Sequence, residues 1–177
     1  MIDNCSRRPH LLGTLRSAEG KGIVHVEDCF DTPIDNVWSA LTDGERLAGW
    51  LGEFEGDLRV GGRFRARFFA SEWDGTGRVV VCDGPRRLIV MMTETGAADE
   101  DATDVTLSAD GEQTILVVEQ RGLPLDQLAA YGAGLQIHVE DLAAHLVGRE
   151  RCDAPARWKE LFPSYQAKRI DHTGDVR

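Results

Sequence analysis

Residues 38–64 constrain the fold of this chain more than any other stretch. Trp38-x-x-Leu41-Thr42-Asp43 is followed by Trp50-Leu51, then by Asp57-Leu58-Arg59-Val60-Gly61-Gly62 and Arg63-Phe64. Trp38 and Leu41 fall one helical turn apart, Thr42 and Asp43 are residue types that cap a following turn, and Gly61-Gly62 breaks the chain at the entry to an alternating strand. The order that follows is a strand, two short helices and an antiparallel sheet.

The flanking sequence extends that order in both directions. Residues 12–16 and 23–30 read as strands joined at Glu19-Gly20-Lys21-Gly22, although neither face of the second is cleanly apolar. Thr32-Pro33 opens the first helix, with Thr32 as cap, Pro33 in the first turn and Asp35 at the positive helix end. Ile34, Val37, Trp38 and Leu41 form its apolar stripe, a second helix fits residues 44–50, and residues 51–60 return to extended chain. In residues 63–69, Phe64, Ala66 and Phe68 share one strand face, while Arg63, Arg65 and Arg67 share the other. Strands at 77–82 and 87–93 follow across Trp73-Asp74-Gly75 and Asp83-Gly84-Pro85. An acidic loop at 96–102 then leads to a hairpin of residues 104–108 and 114–121 around Asp110-Gly111. Beyond Gly122 and Pro124 the period changes, with Leu125, Leu128, Tyr131, Leu135, Val139, Leu142 and Leu146 recurring every three or four residues. That is one amphipathic helix of roughly 35 Å, long enough to cross a sheet, with Gly132 and Gly134 allowing a bend or close packing. Trp158, Leu161, Phe162 and Tyr165 keep helical spacing in a last segment around Pro163. The expected organisation is a leader at 1–10, one α+β domain at 11–149, and an appendage at 150–177 that packs on the domain or forms a homodimer.

Length and composition narrow the function classes. A chain of 177 residues with 42% hydrophobic content supplies a real core. Its formal charge of -10 repels phosphate backbones and anionic membranes, so neither nucleic acid nor a membrane surface is an expected partner. No apolar run approaches the roughly 18 residues of a membrane span, and the N-terminus lacks the apolar core of a signal peptide; a cytoplasmic location follows. Cys5, Cys29, Cys82 and Cys152 are scattered without a C-x-x-C pair, which reads as free thiols. His138 and His145 sit seven residues apart, about 10 Å along a helix, too far for one zinc ion, so no metal site is expected. Hydrolase-elbow, Walker and dinucleotide motifs are missing too, and no cofactor is expected.

Taken with the element order, Trp38-x-x-Leu41-Thr42-Asp43, Asp57-Leu58-Arg59-Val60-Gly61-Gly62, Gly77-Arg78-Val79, Asp83-Gly84-Pro85-Arg86-Arg87-Leu88 and Glu119-Gln120-Arg121-Gly122-Leu123 resemble the helix-grip fold of the SRPBCC superfamily. That superfamily includes START lipid-binding domains and the birch-pollen allergen group. The motifs are most similar to the branch named for activators of heat-shock-protein-90 ATPase, over residues 23–148. The resemblance implies a curved antiparallel sheet of about six or seven strands gripping a long C-terminal helix. Two positions depart from the pattern: Leu135 stands where relatives often carry Trp, and Gln120 where some carry His. A neutral amide cannot take over acid or base chemistry.

A sheet gripping a helix leaves an interior gap that side chains fill or a ligand occupies. The expected lining is Trp50, Phe64, Phe68, Trp73, Met91, Leu116 and Val118, with Leu135, Val139 and Leu142 from the helix, and with Gln120 and His138 as polar contacts. For each residue singly, an ordinary core role is the more economical account; the group as a whole argues for a pocket. Three functions are open at this level. The first is a module that binds a small apolar or aromatic ligand. The second is an enzyme of cyclase, dehydratase or hydrolase type in the same pocket, with a minor version in which His138 or His145 acts as a base beside Glu119 or Glu140. The third is a chaperone-associated interaction protein, as the branch name suggests.

Overall fold

The computed structural model describes residues 12–173, so the expected leader at 1–10 lies outside the described residues. The chain runs β1 (Thr14–Ala18), β2 (Lys21–Phe30), α1 (Ile34–Thr42), α2 (Gly44–Trp50), β3 (Gly52–Gly56), β4 (Arg63–Phe68), β5 (Asp74–Asp83), β6 (Arg87–Glu94), β7 (Asp101–Asp110) and β8 (Gln113–Leu123). A 3-10 turn at Leu125–Gln127 then leads into α3 (Leu128–Leu146), α4 (Ala154–Gln166) and β9 (Ile170–His172). The strands form one nine-stranded sheet in the order β3-β4-β5-β6-β7-β8-β2-β1-β9. Every pairing is antiparallel except that of β1 with β9.

The expected helix-grip architecture is present, with nine strands where about six or seven were expected; two of them lie outside the strand segments that the sequence marks. One is β3, whose Glu53 and Glu55 pair opposite Arg67 and Arg65 of β4; the glycines and acids of Gly52–Gly56 carry no strand signal of their own. The other is β9, three residues recruited by the edge of β1. The helix across the sheet is α3, shorter than expected because its first turn is the 3-10 segment.

Local chemistry explains the connections. Asp43 caps α2, accepting hydrogen bonds from the Glu45 and Arg46 backbone N–H groups. Thr32 does not cap α1; its hydroxyl instead accepts from the Asn36 side chain at 2.8 Å. Trp38 lies against Gly84, where a Cβ would come within 2.9 Å of the indole nitrogen. The Trp38 and Gly84-Pro85 motifs are thus two halves of one contact between α1 and the β5–β6 turn.

The apolar core lies between the inner face of the sheet and α3, with Val24, Val26, Val105, Leu107, Leu116 and Val118 facing Ala133, Ile137, Val139 and Leu142. Packed beside α3, α4 buries Leu161 and Tyr165 in the same core. Arg157 of α4 makes a two-pronged ion pair with Glu140 of α3, both bonds at 2.8 Å. Cys29 is disulfide-bonded, which corrects the reading of four free thiols, while Cys82 and Cys152 are free. Among the described residues no helix is long and apolar enough to cross a membrane.

Candidate functional site

Strand register builds the site row by row. Phe64 of β4 lies opposite Gly77 of β5, Gly77 opposite Met92 of β6, and Met92 opposite Asp101 of β7. The next row carries Val79, Val90, Thr103 and Gln120, and those beyond it pair Val105 with Val118 and Leu107 with Leu116. Residues paired across antiparallel strands share a face, so all of these point to the same side of the sheet. The helix supplies the opposite wall through Leu135, His138, Val139 and Leu142, spaced i, i+3, i+4 and i+7.

Between these walls lies a chamber of about 140 Å³. Trp50, Phe64, Phe68, Leu116, Val118, Gln120, Leu135, His138, Val139 and Leu142 line it. Trp73 does not. It stacks on Phe68 at 4.9 Å between ring centroids and lines a second chamber of about 200 Å³. Met91 lines neither chamber, and Met92 occupies the inward position. The reason is pleat parity: a shift of one residue along a strand turns a side chain to the other face. Leu88, Ile89, Val90, Met91 and Met92 are all apolar, so no polar alternation marks which set faces in. The register does, because Met92 stands opposite Gly77.

Sequence reasoning also missed the closing wall. Leu41, Thr42, Leu47, Leu51, Phe54 and Leu58 reach the chamber from α1, α2 and the β3 region. Val79, Leu88, Val90, Thr103 and Val105 were legible only through strand pairing. Gly77 leaves the space that the Phe64 ring fills, and a Cβ there would collide with that ring. Gly77→Ala is expected to cost about 1–3 kcal/mol through overpacking and to drive the ring into the chamber. Urea denaturation gives the first quantity, and a shifted Phe64 side-chain NMR signal reports the second.

The polar groups sit where the two chambers meet. Phe68, Met92, Gln120, Leu135 and His138 line both. The Gln120 amide donates to the Thr103 hydroxyl at 3.4 Å. His138 packs edge-on against the Phe68 ring, centroids 5.3 Å apart, and its Nε2 is buried without a hydrogen-bond partner. Burial pushes the imidazole pKa down to about 4, so the ring is neutral at pH 7. The second chamber adds Ser71, Glu94, Gln127, Tyr131 and Asp101, the last with a buried Oδ1 that has no partner. Burial pushes the Asp101 carboxyl up to about 6, with the Glu94 and Glu100 charges adding to it. Burial and the same Glu94 and Asp101 charges raise the Tyr131 hydroxyl.

The proposed acid–base partners are not brought together. Glu119 lies with Arg16, His25 and Arg121 in an ion network and lines neither chamber. Glu140 is held by Arg157, and His145 accepts from Arg46 at 3.4 Å. Among the described residues, no group of three or more His, Cys, Asp or Glu side chains is placed to hold a metal ion.

The profile of the family described as Activator of Hsp90 ATPase homolog 1-like protein matches residues 31–147. Among solved structures, the crystal structure of CalU16 from Micromonospora echinospora is similar over 88% of this chain and 94% of its own, with 25% identity and a TM-score of 0.72. DynU16, a protein in the dynemicin biosynthetic locus, matches with 29% identity and a TM-score of 0.67 over 74% of this chain, which spans 50% of DynU16. A protein from Bordetella parapertussis, at 21% identity, covers 92% of this chain and 93% of its own with a TM-score of 0.69 and shows the shared fold alone. No curated protein matches the chain.

Proposed function

This chain belongs to the Activator of Hsp90 ATPase homolog 1-like family, and from that premise we propose that it is a small-molecule binding domain holding an apolar or aromatic body between the sheet and α3. The observation that carries this is the chamber between the sheet and α3, whose lining is apolar apart from Thr42, Thr103, Gln120 and His138. Few polar groups in an apolar enclosure is the usual make-up of a small-ligand site. Its volume is close to that of an engineered cavity, about 150 Å³, that takes up benzene, so one ring fits the inner chamber and anything larger extends into the second. DynU16's place in the dynemicin biosynthetic locus supports a natural-product-like ligand class for this chain.

The decisive experiment is native mass spectrometry of freshly purified protein, with an organic extract of the same sample. The expected result is a stoichiometric adduct that the extract identifies as an apolar or aromatic molecule. An apo mass that stays unchanged through a screen of such compounds would overturn the reading.

One observation bears on an enzymatic variant: the His138 imidazole is neutral at pH 7 and its buried Nε2 has no partner in the protein, which leaves it to hydrogen-bond a substrate, although burial makes it a weak base. Turnover abolished by His138→Ala or Gln120→Ala, with the fold retained, would establish it. The chaperone role rests on the family name alone, and stimulation of a heat-shock ATPase would separate it from both. A homodimer through residues 150–177 has less to draw on, since α4 already buries Leu161 and Tyr165 within the chain. A cytoplasmic location belongs to this reading as well. The Cys29 disulfide weighs against it, because such bonds persist mainly in oxidising compartments.

A further inference from the structure

The second chamber carries information about the ligand that the apolar one does not. It shares Phe68, Met92, Gln120, Leu135 and His138 with the first, so these side chains are the partition between the two spaces, and a ligand longer than one ring has the second space next to it once they give way. The charged side chains lining it are Glu94 and Asp101, and no Lys or Arg joins them. Their placement follows from the sheet. Asp101 continues the inward row of Phe64, Gly77 and Met92, and Glu94 lies two residues beyond Met92 on the same face of β6. The nearby cations are engaged elsewhere, Lys21 with Asp99 and Arg78 with Glu100. Two buried polar atoms in this lining have no partner in the protein: Asp101 Oδ1 and, independently, His138 Nε2 on the facing helix. A buried polar atom without a partner costs about 1–3 kcal/mol, and a ligand that supplies proton donors at this point recovers that cost.

We propose that the ligand is bipartite, with an apolar or aromatic body in the inner chamber and a protonated amine in the second, held by Asp101 and Glu94 and passing within reach of His138. This rests on the preceding reading of the inner chamber and adds the ligand's charge to it. An anionic end group is disfavoured at the same place, because both carboxylates repel it and no guanidinium or ammonium group lines the chamber to offset them.

The test compares three probes of one shape, 4-phenylbutylamine, 4-phenylbutanol and 4-phenylbutyrate, titrated calorimetrically into the full-length protein at pH 7.5. The expected order is amine, then alcohol, then carboxylate, with the amine roughly tenfold tighter than the alcohol because its hydrogen bonds are charge-assisted. In Asp101→Asn/Glu94→Gln that advantage disappears while alcohol binding is retained. Glu94→Gln alone, a change at an exposed strand end, reduces it partially and serves if the double variant folds poorly. An amine no tighter than the alcohol, or an advantage that survives the double variant, overturns the proposal and leaves the apolar chamber standing. Failure of the neutral alcohol to bind removes the chamber reading, and this inference with it.

Discussion

Tyr165→Ala is expected to lower folding stability by about 3–5 kcal/mol, the range for deleting a large buried aromatic side chain, read as a shifted midpoint in urea denaturation. Tyr165 is 0% exposed and locks three parts of the chain together. Its hydroxyl accepts from the Gly13 backbone N–H at 2.8 Å and donates to the Gln136 side chain in α3. Its ring lies against Gly132, where a Cβ would come within 2.6 Å of it. The glycine in the middle of α3 is therefore a site of close helix packing. Removing the ring empties that contact and also leaves the Gly13 N–H and the Gln136 Oε1 without their partner, while the Gln136 amide nitrogen keeps its bond to Glu140. Tyr165→Phe keeps the ring and isolates the polar part, with an expected loss of about 1–3 kcal/mol. A truncation-like loss in Tyr165→Ala together with an unaffected Tyr165→Phe would mean that packing alone fixes α4. Near-wild-type stability in both would mean that α4 does not dock as described.

The same contact shows where sequence reading succeeds and where it stops. Helical spacing of Leu161 and Tyr165 was enough to place a packed helix, and the spacing of Leu135, His138, Val139 and Leu142 was enough to identify the inward face of α3. Phe64, Ala66 and Phe68 were equally legible, because arginines mark the opposite face. Each case has a polar contrast that fixes the phase. The run Leu88 to Met92 has none, and the choice of Met91 over Met92 went wrong there. Asp101 was hidden for a different reason. Its surroundings, Gly96 to Glu100, are small and acidic, so residues 96–102 read as a loop, whereas pairing with Met92 draws Asp101 into β7 and turns it inward. Strand pairing is a long-range property, and local composition carries little trace of it. Cys29 falls in the same class, since a disulfide depends on the spatial proximity of two cysteines and not on their spacing in sequence.

Acidification is expected to expose an opposition between His138 and Asp101. The folded imidazole of His138 titrates at about 4 instead of 6.5. As pH falls through 6.5 the unfolded chain takes up that proton and the folded one does not. Stability present above 6.5 is thus lost between 6.5 and 4, by up to about 3 kcal/mol at roughly 1.4 kcal/mol per pH unit. Asp101 has the reverse sign. Its folded pKa is raised from 3.8 to about 6, so the folded state binds the proton first, and stability is gained as pH falls from 6 to 3.8, again by up to about 3 kcal/mol. The two contributions overlap between pH 6 and 4 and largely cancel in the native protein. Asp101→Asn removes the gain, and its stability is expected to fall about 3 kcal/mol further than wild type on going from pH 6.5 to 4. His138→Leu removes the loss, and the variant is expected to become more stable relative to wild type over the same interval. Denaturation midpoints at several pH values, with the ring-proton NMR signals of His138 followed in parallel, measure both. An imidazole that titrates near 6.5 in the folded protein would show that water reaches His138. The boundary between the two chambers would then be open, and the calorimetric preference for an amine over a neutral probe would have to come from a solvated site.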